Sequence, residues 1–479
     1  MVENKKEGIY NMKKSDIVLK LAKEIQMAGG RAYYVGGYVR DLFLDKENKD
    51  IDIEVYNISP EKLKSICSKF GKVDEVGVSF GVLKIHGYDL DITMPRRERQ
   101  IGSGHKDFSV SVDPFMGTRE AASRRDFTMN ALMKDILTGE IVDHFEGTSD
   151  LKGHIIRHIS DETFIEDPLR VFRAAGFAAR LNFKIHEETL GLCKNIDISE
   201  LSRERIFEET NKVLKKAKKP SVYFNYLYDM GKLDVFFPGI AKLHGIPQDP
   251  VYHPEGDAFI HTMKVLDHAA IIREKVENPL GFMYSALFHD IGKLETTMFD
   301  KQKKRWTSID HDLAGMNLAE KEMQKVTSDK NLIRYVKNMV GLHMQPAQIT
   351  QDAKPKTTNR MFDKCLCPND LFLLSVCDQA GRKDISQDTI DWWIGRLKRY
   401  YSVIGRPEVT GDDLILLGYK PGPEFSRILE KCHAIHLAEV PKEDVIRQLP
   451  SILNGIGLKE YGQSCLSNVI RLNKGDTIR

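Results

Sequence analysis

At 479 residues the chain exceeds what one hydrophobic core fills, so two to four domains are expected. Lys and Arg number 71 against 69 Asp and Glu; the net charge of +2 does not mark the whole chain as a polyanion binder, so any basic face must come from local clustering. Apolar content of 41% is that of a soluble protein, no apolar run approaches a membrane span, and MVENKKEGIYNMKK lacks the apolar centre of a signal peptide; the expectation is a cytoplasmic protein with no membrane partner. The seven cysteines are scattered, only Cys365 and Cys367 lie close together, and all are read as reduced thiols.

Residues 1–10 read as a mobile tail. Ser15–Met27 carries Ile17, Leu19, Leu21 and Ile25 at helical spacing, closing an N-terminal segment over residues 1–27. Ala32–Val35 reads as a strand leading into VGGYVRDLFLDKENKDID at 35–52. There Gly36 and Gly37 allow close backbone approach to a ligand ahead of a helix N-terminus, which attracts anions. Asp50 and Asp52 follow, one residue apart on a strand, so they share a face and repel unless a cation lies between them. Oxygen-only donors favour Mg²⁺, which favours phosphates. The stretch reads as a metal–nucleotide site for phosphoryl or nucleotidyl transfer, although a DxD alone is often a solvated strand end. Pro60–Phe70 reads as a helix, and Lys72–Val76, Val82–His86 and Tyr88–Thr93 as strands that join Ile51–Tyr56 in a small sheet. Asp89 or Asp91 on the last strand could add a third carboxylate, the number a two-metal displacement needs. Pro95–Phe108 reads as a basic, glycine-bearing surface loop. In AASRRDFTMNAL at 121–132, Arg124 and Arg125 suit phosphate, and Asp126 and Asn130 lie four apart on one helix face.

VGGYVRD, KDIDI, SRRDFTMNAL, then EDPLRVFRAAGFAARL at 166–181 and LSRERIFEE at 201–209 occur in one order. This order resembles the class II tRNA nucleotidyltransferase and bacterial poly(A) polymerase family over roughly residues 30–240, most of all the CCA-adding enzymes that carry an HD domain. The resemblance implies an α+β fold class: a polymerase-β-like nucleotidyltransferase α/β head at 28–155, then an all-α neck and RNA-binding body at 156–245, an HD region at 246–400 and a helical C-terminal region at 401–479. It implies tRNA, CTP and ATP as partners, with no stable protein partner. It also implies triphosphate binding by Gly36, Gly37 and Arg40, Mg²⁺ binding by Asp50 and Asp52, a catalytic role for these two and Asp91, and nucleotide binding by Arg125, Asp126 and Asn130. Asp167 and Arg170 would read the base edge, with Glu166 steering Arg170 and Arg173 on the same helix face. Carboxylates suit the exocyclic amino groups of cytosine and adenine, and arginine suits their acceptors. This chain departs from its relatives at Gly176, where they usually have arginine; that leaves open whether both nucleotides are handled.

Lys212, Lys215, Lys216, Lys218 and Lys219 form a cluster suited to tRNA phosphate or to a solvated helix end. Further on, His261, His289-Asp290 and Asp378 resemble the H…HD…D signature of HD domains, with His311 and His343 as extra ligands or phosphate contacts. The resemblance implies a second divalent metal there and hydrolysis of 2′,3′-cyclic phosphates or 2′-nucleotides. VTGDDLILLGYKPGPEF at 409–425 places a turn between two helices. The alternatives are a poly(A) polymerase, a CC-only or A-only transferase, or an RNA-binding protein active only in its HD domain.

Overall fold

The computed structural model describes residues 14–48, 50–76, 81–88, 90–100, 108–380 and 386–458. The expected N-terminal tail and Asp89 lie outside them. The chain divides into two units, one of residues 1–213 and 222–232, the other of residues 214–221 and 233–479.

The first unit is built on a mixed sheet. Its strands are β1 (Arg31–Val35), β2 (Ile51–Tyr56), β3 (Val73–Val76), β4 (Val82–Ile85) and β5 (Leu90–Thr93), and, beyond a separate two-stranded ladder of β6 (Arg96–Gln100) and β7 (Phe108–Val112), β8 (Met133–Asp135) and β9 (Ile141–Val142). The order is β3-β4-β5-β2-β1-β8-β9. Only β2 and β5 run parallel; the other neighbours are antiparallel. Alternation along IDIEVY buries Ile53 and Val55 completely and leaves Asp52 and Glu54 on the other face. The buried face packs on the helix Lys14–Met27 through Ile17, Val18, Leu21, Ala22 and Ile25. Each large aliphatic side chain buried there contributes about 1.5–3 kcal/mol. Leu19, expected on this face, is 41% exposed, because it lies two residues from Ile17 and so on the opposite side of the helix.

The expected loop at Pro95–Phe108 is instead partly ladder: Arg96 opposes Val112 and Gln100 opposes Phe108. Alternating residues along FSVSV suit a strand, and Arg97 braces the base of the ladder on Asp113 at 2.8 Å and Glu120 at 3.0 Å.

The regions after the head depart from all-α at two places. A short parallel pair joins β10 (Ile155–Ile156) to β11 (Lys184–Ile185). In the second unit β12 (Thr297–Asp300) and β13 (Arg305–Ser308) form a hairpin. Cross-strand pairs hold it: the Thr297 and Ser308 hydroxyls bond at 2.8 Å, and the Phe299 and Trp306 rings meet edge-on. Lys304, at φ 52°, supplies the tight turn. The remaining described elements of the second unit are helical. Near its end Thr410 and Asp413 form a capping box, and Leu414, Ile428, Leu449 and Leu453 pack into a small core. The expected turn separates the helices Gly411–Leu416 and Glu424–His436.

Candidate active sites

In the head, the parallel register sets Asp52 directly opposite Asp91. Burial pushes the Asp52 carboxyl above its ordinary range, Asp91 adds to the rise, and Arg125 opposes it. A cation would relieve that crowding. Asp50 is exposed and precedes β2 instead of lying on it. Among the described residues the three carboxylates do not close into one compact ligand cluster, and Asp91 meanwhile holds Lys84 at 3.0 Å. The site is an open carboxylate face. Gly36 keeps it open. Its φ is +65°, and a Cβ there would stand 3.3 Å from Arg125 Nη1 and 3.7 Å from Asp52 Oδ2. Glycine thus leaves free the space between a guanidinium and a carboxylate.

Behind this face runs a connected polar network. Arg40 donates to Asp41 Oδ1 at 2.7 and 2.9 Å and to Asn130 Oδ1 at 2.9 Å. Asn130 in turn donates to Asp126 Oδ1 at 2.9 Å, and Arg173 donates to Asp126 Oδ2 at 2.7 Å. Asp126 and Asn130 do not share a helix face, contrary to expectation. The helix stops at Ser123, Phe127 is extended, and Thr128–Asn130 is a single 3₁₀ turn. The turn still brings the two together, buried, as struts between Arg40 and Arg173. Glu54 was not anticipated. It lies two residues past Asp52 on the same face, accepts from Tyr56 Oη at 2.5 Å and pairs with Arg125 at 3.4 Å. The DIDIE alternation carried that signal.

The helix Leu169–Leu181 supplies the next group. Asp167 lies just before it, with both oxygens on Arg205 Nη2 at 3.0 and 2.9 Å. Arg205, from LSRERIFEE, was also not singled out. Arg170 is not steered by Glu166, which is exposed; the carbonyls of Thr163 and Arg124 hold its guanidinium instead. Arg40, Arg173 and Arg180 surround the ring of Phe177 at 5.2, 5.4 and 4.6 Å. Arg180 also donates to the Gly176 carbonyl at 3.1 Å, so a cation from the next turn lies over this glycine. A Cβ on Gly176 would meet Val213 at 3.5 Å, an ordinary contact. Gly176→Ala is therefore expected to raise the stability of the first unit by about 1 kcal/mol. A lower denaturant midpoint would show that the site has no room.

In the second unit, the helix Ala258–Ile272 brings His261, the end of Pro279–Phe288 brings His289 and Asp290, and Pro368–Ala380 brings Asp378. His311 begins the helix His311–Val326, and His343 caps Lys330–Leu342. All six are buried. Each imidazole has its Nδ1 engaged: His289 with Ala286 O at 2.9 Å, His311 with Ser308 O at 2.7 Å, His343 with Val340 O at 2.7 Å and His261 with the Glu255 carboxylate at 2.7 Å. Their Nε2 atoms converge on two aspartates. His261 Nε2 is 2.9 Å from Asp378 Oδ1, while His289 Nε2 and His311 Nε2 lie 3.3 and 3.1 Å from Asp290 oxygens. The Nε2 atoms of His289, His311 and His343 are buried without a hydrogen bond. Burial pushes His343 down to about 3, with His311 and His289 adding to the fall, so it is neutral. Burial alone would raise Asp290, but Lys293 and His289 outweigh it and hold the carboxyl well below the usual range. Burial would lower His261 and His311, but the carboxylates of Asp378 and Glu255 raise the first and that of Asp290 raises the second. Imidazoles held in fixed orientations and facing carboxylates are the donor set of a divalent transition metal. His261–His289–Asp290 and Asp290–His311–His343 each bring three such atoms together, so Asp290 belongs to both sets. Glu255 was missed, because its signal, an acid six residues before His261, is too common to notice.

These two centres place the chain among nucleotidyltransferases that carry an HD domain. The comparisons agree: residues 32–157 match the Poly A polymerase head domain family, residues 182–243 the probable RNA and SrmB-binding site of polymerase A, and residues 258–372 the HD domain. The multifunctional CCA protein of Mannheimia succiniciproducens is 34% identical over 374 residues, 74% of this chain and 85% of that protein. That of Pasteurella multocida is 39% identical over 274 residues, 56% of this chain and 63% of that protein. The fold is similar to a Thermotoga maritima CCA-adding enzyme complexed with tRNA (21% identity, TM-score 0.60, 92% of this chain and 95% of that one) and to the Bacillus stearothermophilus enzyme in complex with CTP (20%, 0.63, 94% and 99%). The chain belongs to the multifunctional CCA protein family.

Proposed function

We propose that the head adds CCA to the 3′ end of tRNA from CTP and ATP, without a nucleic-acid template. Family membership supports the reaction, and the Asp52–Asp91 register beside Gly36 supports this face as its site. Asp50, Asp52 and Asp91 are the residues to hold Mg²⁺, which when bound supplies charge neutralisation and a more acidic attacking hydroxyl. Gly36 and Gly37 let the triphosphate approach the backbone, and Arg40 and Arg125 offset its charge, both already oriented by Asn130, Asp41 and Glu54. Base choice falls to Asp167 and Arg170. Arg205 fixes the Asp167 carboxylate, and the two carbonyls fix the plane of Arg170 while leaving other N–H donors for the base. The described cysteines are free thiols, which supports a reducing compartment such as the cytoplasm. The test is incorporation of labelled CTP and ATP into tRNA lacking its last one, two or three nucleotides. Addition of only the missing residues of CCA is expected. Long adenosine tails from ATP alone would make the protein a poly(A) polymerase, and arrest after two cytidines, or use of ATP alone, would make it a specialist.

The buried histidine–aspartate centre supports a second activity, metal-dependent hydrolysis of phosphoesters such as 2′,3′-cyclic phosphates or 2′-nucleotides. Its fit to a metal rests on the unpartnered Nε2 atoms.

A further inference from the structure

The four histidines of the metal-ligating sets are held in two different ways. The Nδ1 atoms of His289, His311 and His343 meet backbone carbonyls. His261 alone among the four meets a carboxylate there, with its Nδ1 2.7 Å from Glu255 Oε1. The same oxygen bonds Nδ1 of His253 at 2.9 Å, and the two rings meet edge-on with centroids 4.7 Å apart. Glu255 Oε2 has no hydrogen-bond partner, although the side chain is only 1% exposed. The local chain anchors this acid. Two residues on, Asp257 caps the helix Ala258–Ile272, accepting from Ile260 N at 2.9 Å, and it also accepts from Gly245 N at 2.7 Å. His261 stands one turn into that helix, so the acid and the ring it holds come from one short segment.

A buried carboxylate with one oxygen unpaired costs free energy. Holding a ring in place does not require it, since three neighbouring rings are held by carbonyls. What a carboxylate adds is charge. It draws the Nδ1 proton, which makes Nε2 a stronger electron donor, and it offsets the charge of an ion bound on the far side of the ring. Glu255, Asp378 and Asp290 set carboxylate oxygens 2.7, 2.9 and 3.5 Å from His261, and Lys293 is the one buried ammonium among the described residues to oppose them. The set Asp290–His311–His343 has one carboxylate and only carbonyls behind its rings. We propose that Glu255 is a positioning residue that makes the two donor sets unequal. Acting through His261, it raises the affinity of the His261–His289–Asp290 set for a divalent first-row ion, so that this set fills first. This rests on the reading of the centre as a metal site.

The test measures Zn²⁺ affinity of the full chain by competition with a chromophoric chelator, in excess Mg²⁺ to occupy the head. It compares the native protein with Glu255→Gln, His261→Gln and the double variant. Glu255→Gln is expected to weaken the tightest zinc equivalent about 10–100-fold, and His261→Gln to weaken it at least as much. Because Glu255 acts through His261, adding Glu255→Gln to His261→Gln should change the affinity by less than about twofold. His253→Gln disturbs the same carboxylate but leaves His261 on it, so its zinc affinity should stay within about twofold of the native value. Unchanged affinity in Glu255→Gln, or an equal loss with and without His261, overturns the proposal. A tightest equivalent that survives His261→Gln places the first ion in the other set and overturns it too. If Glu255→Gln is unfolded by circular dichroism, or His253→Gln loses zinc equally, Glu255 is a structural residue and the proposal falls. A native protein without a tight zinc equivalent overturns the metal reading itself, a result distinct from all of these.

Discussion

Asp52→Asn is expected to lower nucleotide incorporation by about a thousandfold or more while leaving the metal-free head at least as stable as the native one. The two effects have one origin. Asp52 is partly buried beside Asp91, and its carboxyl titrates above the ordinary aspartate value. An acid whose folded pKa lies above its unfolded one is less favourably ionised in the folded state, so its charge costs stability. That cost is absent below the ordinary value near 3.8, grows as pH rises to the raised folded value, and is complete above it. Asparagine removes it at neutral pH. Melting of the head in EDTA at pH 7 should therefore show no loss for Asp52→Asn, and Mg²⁺ should raise the midpoint of the native protein more than that of the variant. If incorporation survives, the carboxylate face is not the transfer site. If the variant melts well below the native protein in EDTA, Asp52 is a structural residue.

Asp290→Asn should act in the opposite sense on stability. Lys293 Nζ lies 2.6 Å from Asp290 Oδ2, and both side chains are almost wholly buried. Removing the carboxylate leaves a buried ammonium group with less compensation, a change that costs about 3–5 kcal/mol. The second unit should unfold at lower denaturant, and phosphoester hydrolysis should disappear because both histidine sets lose their shared anionic ligand. Adding Lys293→Met should recover much of the stability and none of the hydrolysis. CCA addition is read in parallel and should be unchanged in both variants. A variant as stable as the native protein would mean that the Asp290–Lys293 pair contributes little, and hydrolysis retained by either variant would remove Asp290 from the reaction.

The sequence carried the frame of both sites better than their supports. Alternation in β2 was enough to place Asp52 on a polar face, and the ordered motifs were enough to connect it with the helix at 169–181. What escaped was pairing across long separations. Nothing local says that Arg205 will hold Asp167, 38 residues away, or that Arg170 will turn to the carbonyls of Thr163 and Arg124. The break between Ser123 and Thr128 escaped too, because a four-residue spacing suits a 3₁₀ turn after a bend as well as a helix. In the HD region the ligands were legible as residue types. The hairpin carrying Arg305 and Trp306 was not, since its KQKK turn resembles any charged helix surface.

The Nδ1 bonds of the four histidines bear on how the HD centre is filled. Each ring is fixed by its own carbonyl or carboxylate before any ion arrives. The ordering entropy of the ligand set is thus settled when the chain folds, not when the metal enters. Such a rigid receptor takes whichever first-row ion reaches it at sufficient concentration, with little reshaping between one occupant and the next. The hydrolysis proposed for this centre should therefore follow the metal composition of the medium, while the open, oxygen-lined head should answer chiefly to magnesium. A single chain would then respond separately to two different ion supplies.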